Sequence, residues 1–276
     1  MLIEKEQLQR EFTLSQEKIS SLISTCTNTP AEFRENANHI GNPITLFPYI
    51  YHAALVKKYL TSPASILDWG AYLGQVSCLL QDEFNVTAQN PRKENDIEYW
   101  MQKLGIHNVQ FGKLNAGPES TVDDDTLFDG IISSGVLEHT FEYGQTDLEA
   151  LRILHANLKD DGYLFIWNLP TKHSLSETYA RMRKKWKHPV LYELDDILVK
   201  LTTAGFEVVA IERNEIFFSQ LARLFPIIPL EVMWRFDHFL ATNLLLKRFA
   251  HHFTIVAQKV AGFPQNPSRS LYTVYP

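Results

Sequence analysis

The amino-acid order predicts an α/β protein: a seven-stranded, mostly parallel sheet with flanking helices, an N-terminal helical cap and a helical insertion before the last strand. Three observations carry this. From Ser65 onward, short runs rich in β-branched and aromatic residues alternate with stretches of helical periodicity. Strands separated by single helices need right-handed crossovers, which make neighbouring strands parallel and bury both faces of the sheet. The chain has 276 residues, 45% hydrophobic and 21% charged, enough for one large domain with additions.

The elements follow in order. Residues 1–60 read as the cap: Leu8, Phe12, Ile19, Leu22 and Ile23 form a loose helical stripe, Thr27 to Pro30 breaks it, and Asn42-Pro43 precedes an aromatic-rich helix from Leu46 to Leu60. The sheet domain spans 61–212 plus 251–260. Its strands are Ser65–Trp69, Val86–Ala88, Val109–Phe111, Phe128–Ser133, Tyr163–Trp167, Phe206–Ile211 and Phe253–Ala257. Ile97, Trp100, Met101 and Leu104 mark one helix, closed by Gly105; Leu194, Ile197, Leu198 and Leu201 mark another, closed by Gly205. Asp160-Asp161-Gly162 reads as a turn. Residues 213–250 are an apolar insertion and 261–276 a surface tail.

Composition excludes several classes. Two cysteines, Cys26 and Cys78, with no CxxC pair rule out a disulfide scaffold or a cysteine zinc site. The N-terminus turns charged at once and lacks a signal peptide's apolar core, and no apolar run approaches a membrane span. A cytoplasmic protein is expected. The net charge of −6 argues against general nucleic-acid binding. It is uneven: residues 1–170 carry −11 and the rest +5, which leaves room for a local anionic partner.

Ligands of open α/β sheets bind at the carboxyl ends of the strands, near the switch in strand order. After the first strand stands Leu67-Asp68-Trp69-Gly70-Ala71-Tyr72-Leu73-Gly74. Its glycines permit a tight turn and close backbone approach, and the helix start behind it offers free N–H groups. This segment resembles the first motif of class I S-adenosylmethionine-dependent methyltransferases, small-molecule type. Phe128 to His139, ending in Val136-Leu137-Glu138-His139, resembles the family's fourth strand and next helix. Leu158 to Leu164 resembles the turn into its fifth strand, and Leu191 to Ile211 its following helix and sixth strand.

The resemblance implies a Rossmann-like fold, S-adenosylmethionine as cofactor and in-line methyl transfer. It places Gly70, Ala71, Tyr72 and Gly74 against the cofactor, with Asp68 fixing the loop or binding the cofactor's amino group. It places Asn90 at the ribose, Asn115 at the adenine, and Ser134 and Gly135 near the sulfonium. Three positions depart from the family pattern. Tyr72 replaces a glycine, a strain of about 1 kcal/mol or more if φ is positive there. Asn90 and Asn115 replace carboxylates, keeping an acceptor oxygen without its charge. These departures motivate a second reading, a methyltransferase-like protein that binds a ligand or partner without catalysis.

A hydroxyl acceptor needs a general base, for which His139 and His173 are candidates. Glu138 is read as starting its helix. Relatives that hold a metal use Glu-x-x-Glu-His here; Gly135 stands for the first Glu, so no metal is expected. His251-His252 are expected on opposite sides of a strand, unable to chelate. The basic run Arg181 to His188 reads as a solvated face or a phosphate contact. The insertion reads as a lid over a small or medium, largely apolar acceptor, with peripheral membrane contact, or as a homodimer interface. Oxygen is favoured over nitrogen or carbon as the methylated atom.

Overall fold

The computed structural model describes residues 2–27, 29–30, 33, 42–112, 127–184, 188–243 and 245–263. The cap supplies α1 (Lys5–Thr27) and α2 (Pro43–Tyr59). α2 starts three residues earlier than its apolar pattern, because the Asn42 side chain accepts the Ile44 N–H at 3.0 Å and Pro43 takes the first turn.

The sheet alternates as expected: β1 (Ser65–Trp69), α3 (Gln75–Leu80), β2 (Asn85–Asn90), α4 (Asn95–Lys103), β3 (Val109–Phe111) and β4 (Phe128–Ser134). A 3-10 helix (Leu137–Tyr143) and α5 (Asp147–Asn157) lead into β5 (Leu158–Pro170). Then come α6 (Leu175–Met182), α7 (Leu194–Thr203) and β6 (Phe206–Asn214). The insertion holds α8 (Phe218–Leu224) and α9 (Leu230–Thr242) before β7 (His252–Lys259). β5 is longer than its apolar run: Asp160-Asp161-Gly162 is an irregularity inside the strand, with Asp161 at φ 61°, since Leu158 already pairs with Phe128.

Strand order is β3-β2-β1-β4-β5-β7-β6, parallel except for β7, which is antiparallel to both neighbours. The order reverses between β1 and β4. One face buries Ile66, Ala88, Ile132 and Phe165 against the cap, α3 and α4; the other buries Leu67, Ile131, Leu164 and Ile166 against α5 and α7.

The insertion does not cover the strand ends. Trp234 of α9 is buried against Phe218, Tyr51 and Phe47, with ring centroids at 4.9, 5.3 and 5.7 Å. Cap and insertion therefore share one aromatic core beside the sheet. The outer side of the insertion exposes Leu224, Phe225, Ile227 and Phe239. No helix among the described residues is long and apolar enough to cross a membrane.

Candidate functional site

The switch point carries a cavity of about 890 Å³, within the roughly 300–1,000 Å³ typical of small-molecule sites. Its first wall is the turn after β1. Gly70 has φ 71°, and Gly70 and Ala71 present main chain to the cavity. Asp68 is buried and accepts the Ser77 N–H at 3.1 Å and the Ser77 hydroxyl at 2.6 Å, tying the strand end to α3. Burial pushes its carboxyl up to about 6, against the pull of those two bonds.

Tyr72 has φ 49°, so the strain feared from its sequence position is present, about 1–2 kcal/mol. Asn90 compensates. Its Oδ1 accepts the Tyr72 N–H at 2.8 Å and its Nδ2 donates to the Tyr72 carbonyl at 3.2 Å. A carboxylate could make the first bond but not the second. Tyr72 is 39% exposed, and the cavity beside it stays open.

The opposite wall starts where β4 ends. Ser134, Gly135 (φ 66°) and Val136 lead into the 3-10 helix, which buries Glu138. Neither Glu138 carboxylate oxygen has a hydrogen-bond partner, and burial drives the group up to about 7. Asn168 of β5 donates to the Ser134 hydroxyl at 3.1 Å. Tyr49 of α2 closes the floor, its phenol hydrogen-bonding Gln75 and Ser134.

The far end is lined by His188, His251 and His252. The rings of His251 and His252 stack with centroids at 3.8 Å. Behind them lies Glu177, 1% exposed, 2.5 Å from His188 Nδ1 and 3.4 Å from His251 Nε2.

Residues 48–211, more than half of the chain, match the family model described as "Methyltransferase domain". The chain belongs to that family. It is an S-adenosylmethionine-dependent methyltransferase. Among curated proteins there is no match. Among solved structures the methyltransferase is similar to a SAM-dependent methyltransferase from Archaeoglobus fulgidus: 19% identity, TM-score 0.52, 83% of this chain and 100% of the other. It is also similar to the [4+2]-cyclase SpnF, at 18% identity and TM-score 0.50, over 77% of this chain and 81% of that one. At these identities the likeness is one of fold.

The residues present fit the cofactor. Bare main chain at Gly70 and Ala71, an unpartnered Gln75 Oε1 and the unpartnered Glu138 carboxylate face one cavity, beside apolar Ile97. A buried carboxylate of this kind suits the cofactor's cationic ammonium or sulfonium.

Of the residues singled out from the sequence, the structure brings Asp68, Gly70, Ala71, Tyr72, Asn90, Ser134, Gly135 and His139 around this cavity. Asn115 lies outside the described residues. Gly74 does not line the cavity. It begins α3 at φ 87°, and a Cβ there would meet Ile106 and stand 2.8 Å from Met101 Sδ, so its bareness serves helix packing. His173 is also misplaced by the sequence argument: it sits exposed in the turn after β5, away from the cavity. His139 is half-exposed at the rim, its Nδ1 2.9 Å from Glu142.

Two further expectations are corrected. The insertion is not a lid: among the described residues of 213–250 none lines the cavity. His251 and His252 do not point apart, because His251 is in a bend ahead of β7, where its N–H reaches the Asn214 and Glu215 carbonyls at 3.1 and 3.0 Å. Strand alternation therefore does not apply to the pair. Glu138 reads from the sequence only as a helix start, and Glu177 carries no sequence signal. His188 was hidden in the basic run, of which 185–187 lie outside the described residues.

Proposed function

We propose that this methyltransferase methylates a hydroxyl oxygen of a small acceptor bound at the His188–His251–His252 end of the cavity. One observation carries the reading: the strand order sets the Gly70–Tyr72 turn and Asn90 on one side of the β4 end at Ser134 and Gly135, and Asn168, His251 and His252 on the other, all lining one cavity. The Gly70–Tyr72 end offers main chain and the Asn90 clasp. The other end offers imidazoles and the Asn168 amide, groups that bind and deprotonate oxygen acids better than they hold a hydrocarbon. The apolar acceptor expected from the insertion loses its support, since Trp234 and Phe218 of the insertion pack on α2 instead.

Bound S-adenosylmethionine supplies a methyl on a sulfonium, already activated toward displacement. The chain's task is then alignment and exclusion of water. Asp68 and Ser77 fix the β1 turn, Asn90 holds Tyr72 over it, and the Glu138 carboxylate faces positive charge. Burial lowers the pKa of His188 and His251, which keeps both rings neutral and able to accept the hydroxyl proton near neutral pH.

The test is turnover by the full chain with S-adenosylmethionine and matched pairs of small hydroxylated and aminated acceptors, read as S-adenosylhomocysteine release. Release with the hydroxyl members supports the reading; release confined to the amines contradicts it. Calorimetry with S-adenosylhomocysteine tests the alternative of a non-catalytic binder, which predicts binding without turnover on any acceptor.

A further inference from the structure

We propose that Glu177, His188 and His251 hold a divalent transition-metal ion of the zinc or iron(II) type at the acceptor end of the cavity. The inference deepens the hydroxyl-acceptor reading, on which the ion's chemical purpose rests: with the ion bound, His188 and His251 are its ligands, and the ion would acidify the acceptor hydroxyl in place of their taking its proton.

Glu177, His188 and His251 each offer one ligand atom, and these atoms lie within 4.8 Å of one another. Bonds of about 2.0–2.2 Å from a central ion would span such a set with small side-chain adjustments. Two imidazoles and one carboxylate form the donor set of zinc sites and non-haem iron(II) sites that keep positions open for substrate. His188 and His251 both line the cavity, so an ion between them is reachable from it.

Glu177 is 1% exposed, and among the described residues the Arg181 Nε stands 3.9 Å away on a half-exposed side chain. His188 Nδ1 and His251 Nε2 converge on the same Glu177 oxygen, at 2.5 and 3.4 Å, so two imidazoles and one buried carboxylate already meet at a single point.

His251 belongs to a second set with His252 and Glu215. His252 Nδ1 is buried without a hydrogen-bond partner, 3.5 Å from a Glu215 oxygen. Three imidazoles and two carboxylates converge from the start of α6, the segment before α7, the end of β6 and the start of β7. A packing role alone does not call for so dense a set of polar groups around an unpartnered ring nitrogen. The donor set differs from the Glu-x-x-Glu-His pattern that position 135 breaks.

The test uses the full chain, freed of metal with a chelator and titrated with Co²⁺ alone. The expected result is one equivalent bound, with ligand-field absorption in the visible that Zn²⁺ abolishes and Mg²⁺ does not. Glu177→Gln and His188→Asn should each weaken Co²⁺ binding by about tenfold or more, while His173→Asn leaves it unchanged. Circular-dichroism melting and S-adenosylhomocysteine calorimetry on each variant establish that it is folded. Absent Co²⁺ absorption, or absorption indifferent to Glu177→Gln in a folded variant, overturns the metal site and leaves a carboxylate–imidazole proton relay. S-adenosylhomocysteine binding in that same sample keeps the methyltransferase reading intact, so the two ideas fail separately.

Discussion

Asn90 grips Tyr72 with both ends of its amide, accepting the Tyr72 N–H at 2.8 Å and donating to the Tyr72 carbonyl at 3.2 Å. The grip explains why a residue at φ 49° persists without being glycine. It also explains why an amide, not an acid, stands after β2.

Asn90→Asp tests this. The acid keeps the acceptor but sets a carboxylate against the Tyr72 carbonyl. The expected cost is about 1–3 kcal/mol, seen as a lower melting temperature and weaker S-adenosylhomocysteine binding. Equal or tighter binding would mean that the side chain serves the ribose more than the turn.

Gly70→Ala should destabilise the fold as well as weaken the cofactor. A Cβ there would lie 2.5 and 2.8 Å from the two methyls of Val136, at φ 71°. Val136→Ala in the same chain removes the collision but not the left-handed strain of about 1–2 kcal/mol. Partial recovery of the melting temperature in the double variant is expected; none at all would place the cost elsewhere.

Glu138→Gln gives a pH-dependent result. The folded carboxyl is raised from 4.5 to about 7. Its neutral form is favoured by the fold, so its contribution is fully present below about 4.5 and is lost as pH rises through about 7. Glutamine stays neutral throughout. The variant and the natural chain should melt alike near pH 4.5, and the variant should be the more stable near pH 8.5, by up to about 3 kcal/mol. S-adenosylmethionine should bind the variant more weakly. A stability difference that does not widen with pH argues that the carboxylate is solvated.

Trp234→Ala separates scaffold from site. It empties the aromatic core shared by α2, α8 and α9, at about 3–5 kcal/mol. Thermal melting should fall steeply while S-adenosylhomocysteine affinity in the folded fraction is unchanged. The opposite pattern, weak binding at full stability, would restore the lid.

Much of the fold was legible because its signals are local. Ile66-Leu67 and Ile131-Ile132 are short apolar runs bounded by turn residues, and the Asp68 to Gly74 segment lies where a parallel strand gives way to a helix. The Asn90 clasp was not legible, since its partner is main chain eighteen residues away. Glu177, His188 and His251 belong to three segments, and no spacing rule connects them. Strand periodicity misdirected the reading of His251-His252 by assuming a strand one residue before it starts. Apolar richness gave the insertion its character but not its direction: Trp234 and Phe218 fit a lid as well as they fit a buttress for α2.

The reversed direction of β7 has a consequence for how such a chain diversifies. Every parallel strand reaches the ligand rim with its last residues, whereas β7 reaches it with its first, His252. The polypeptide between β6 and β7 thus leaves from that rim and returns to it. Lengthening or replacing this excursion can exchange the residues delivered beside the acceptor while the hydrogen-bonded ladder behind them stays untouched.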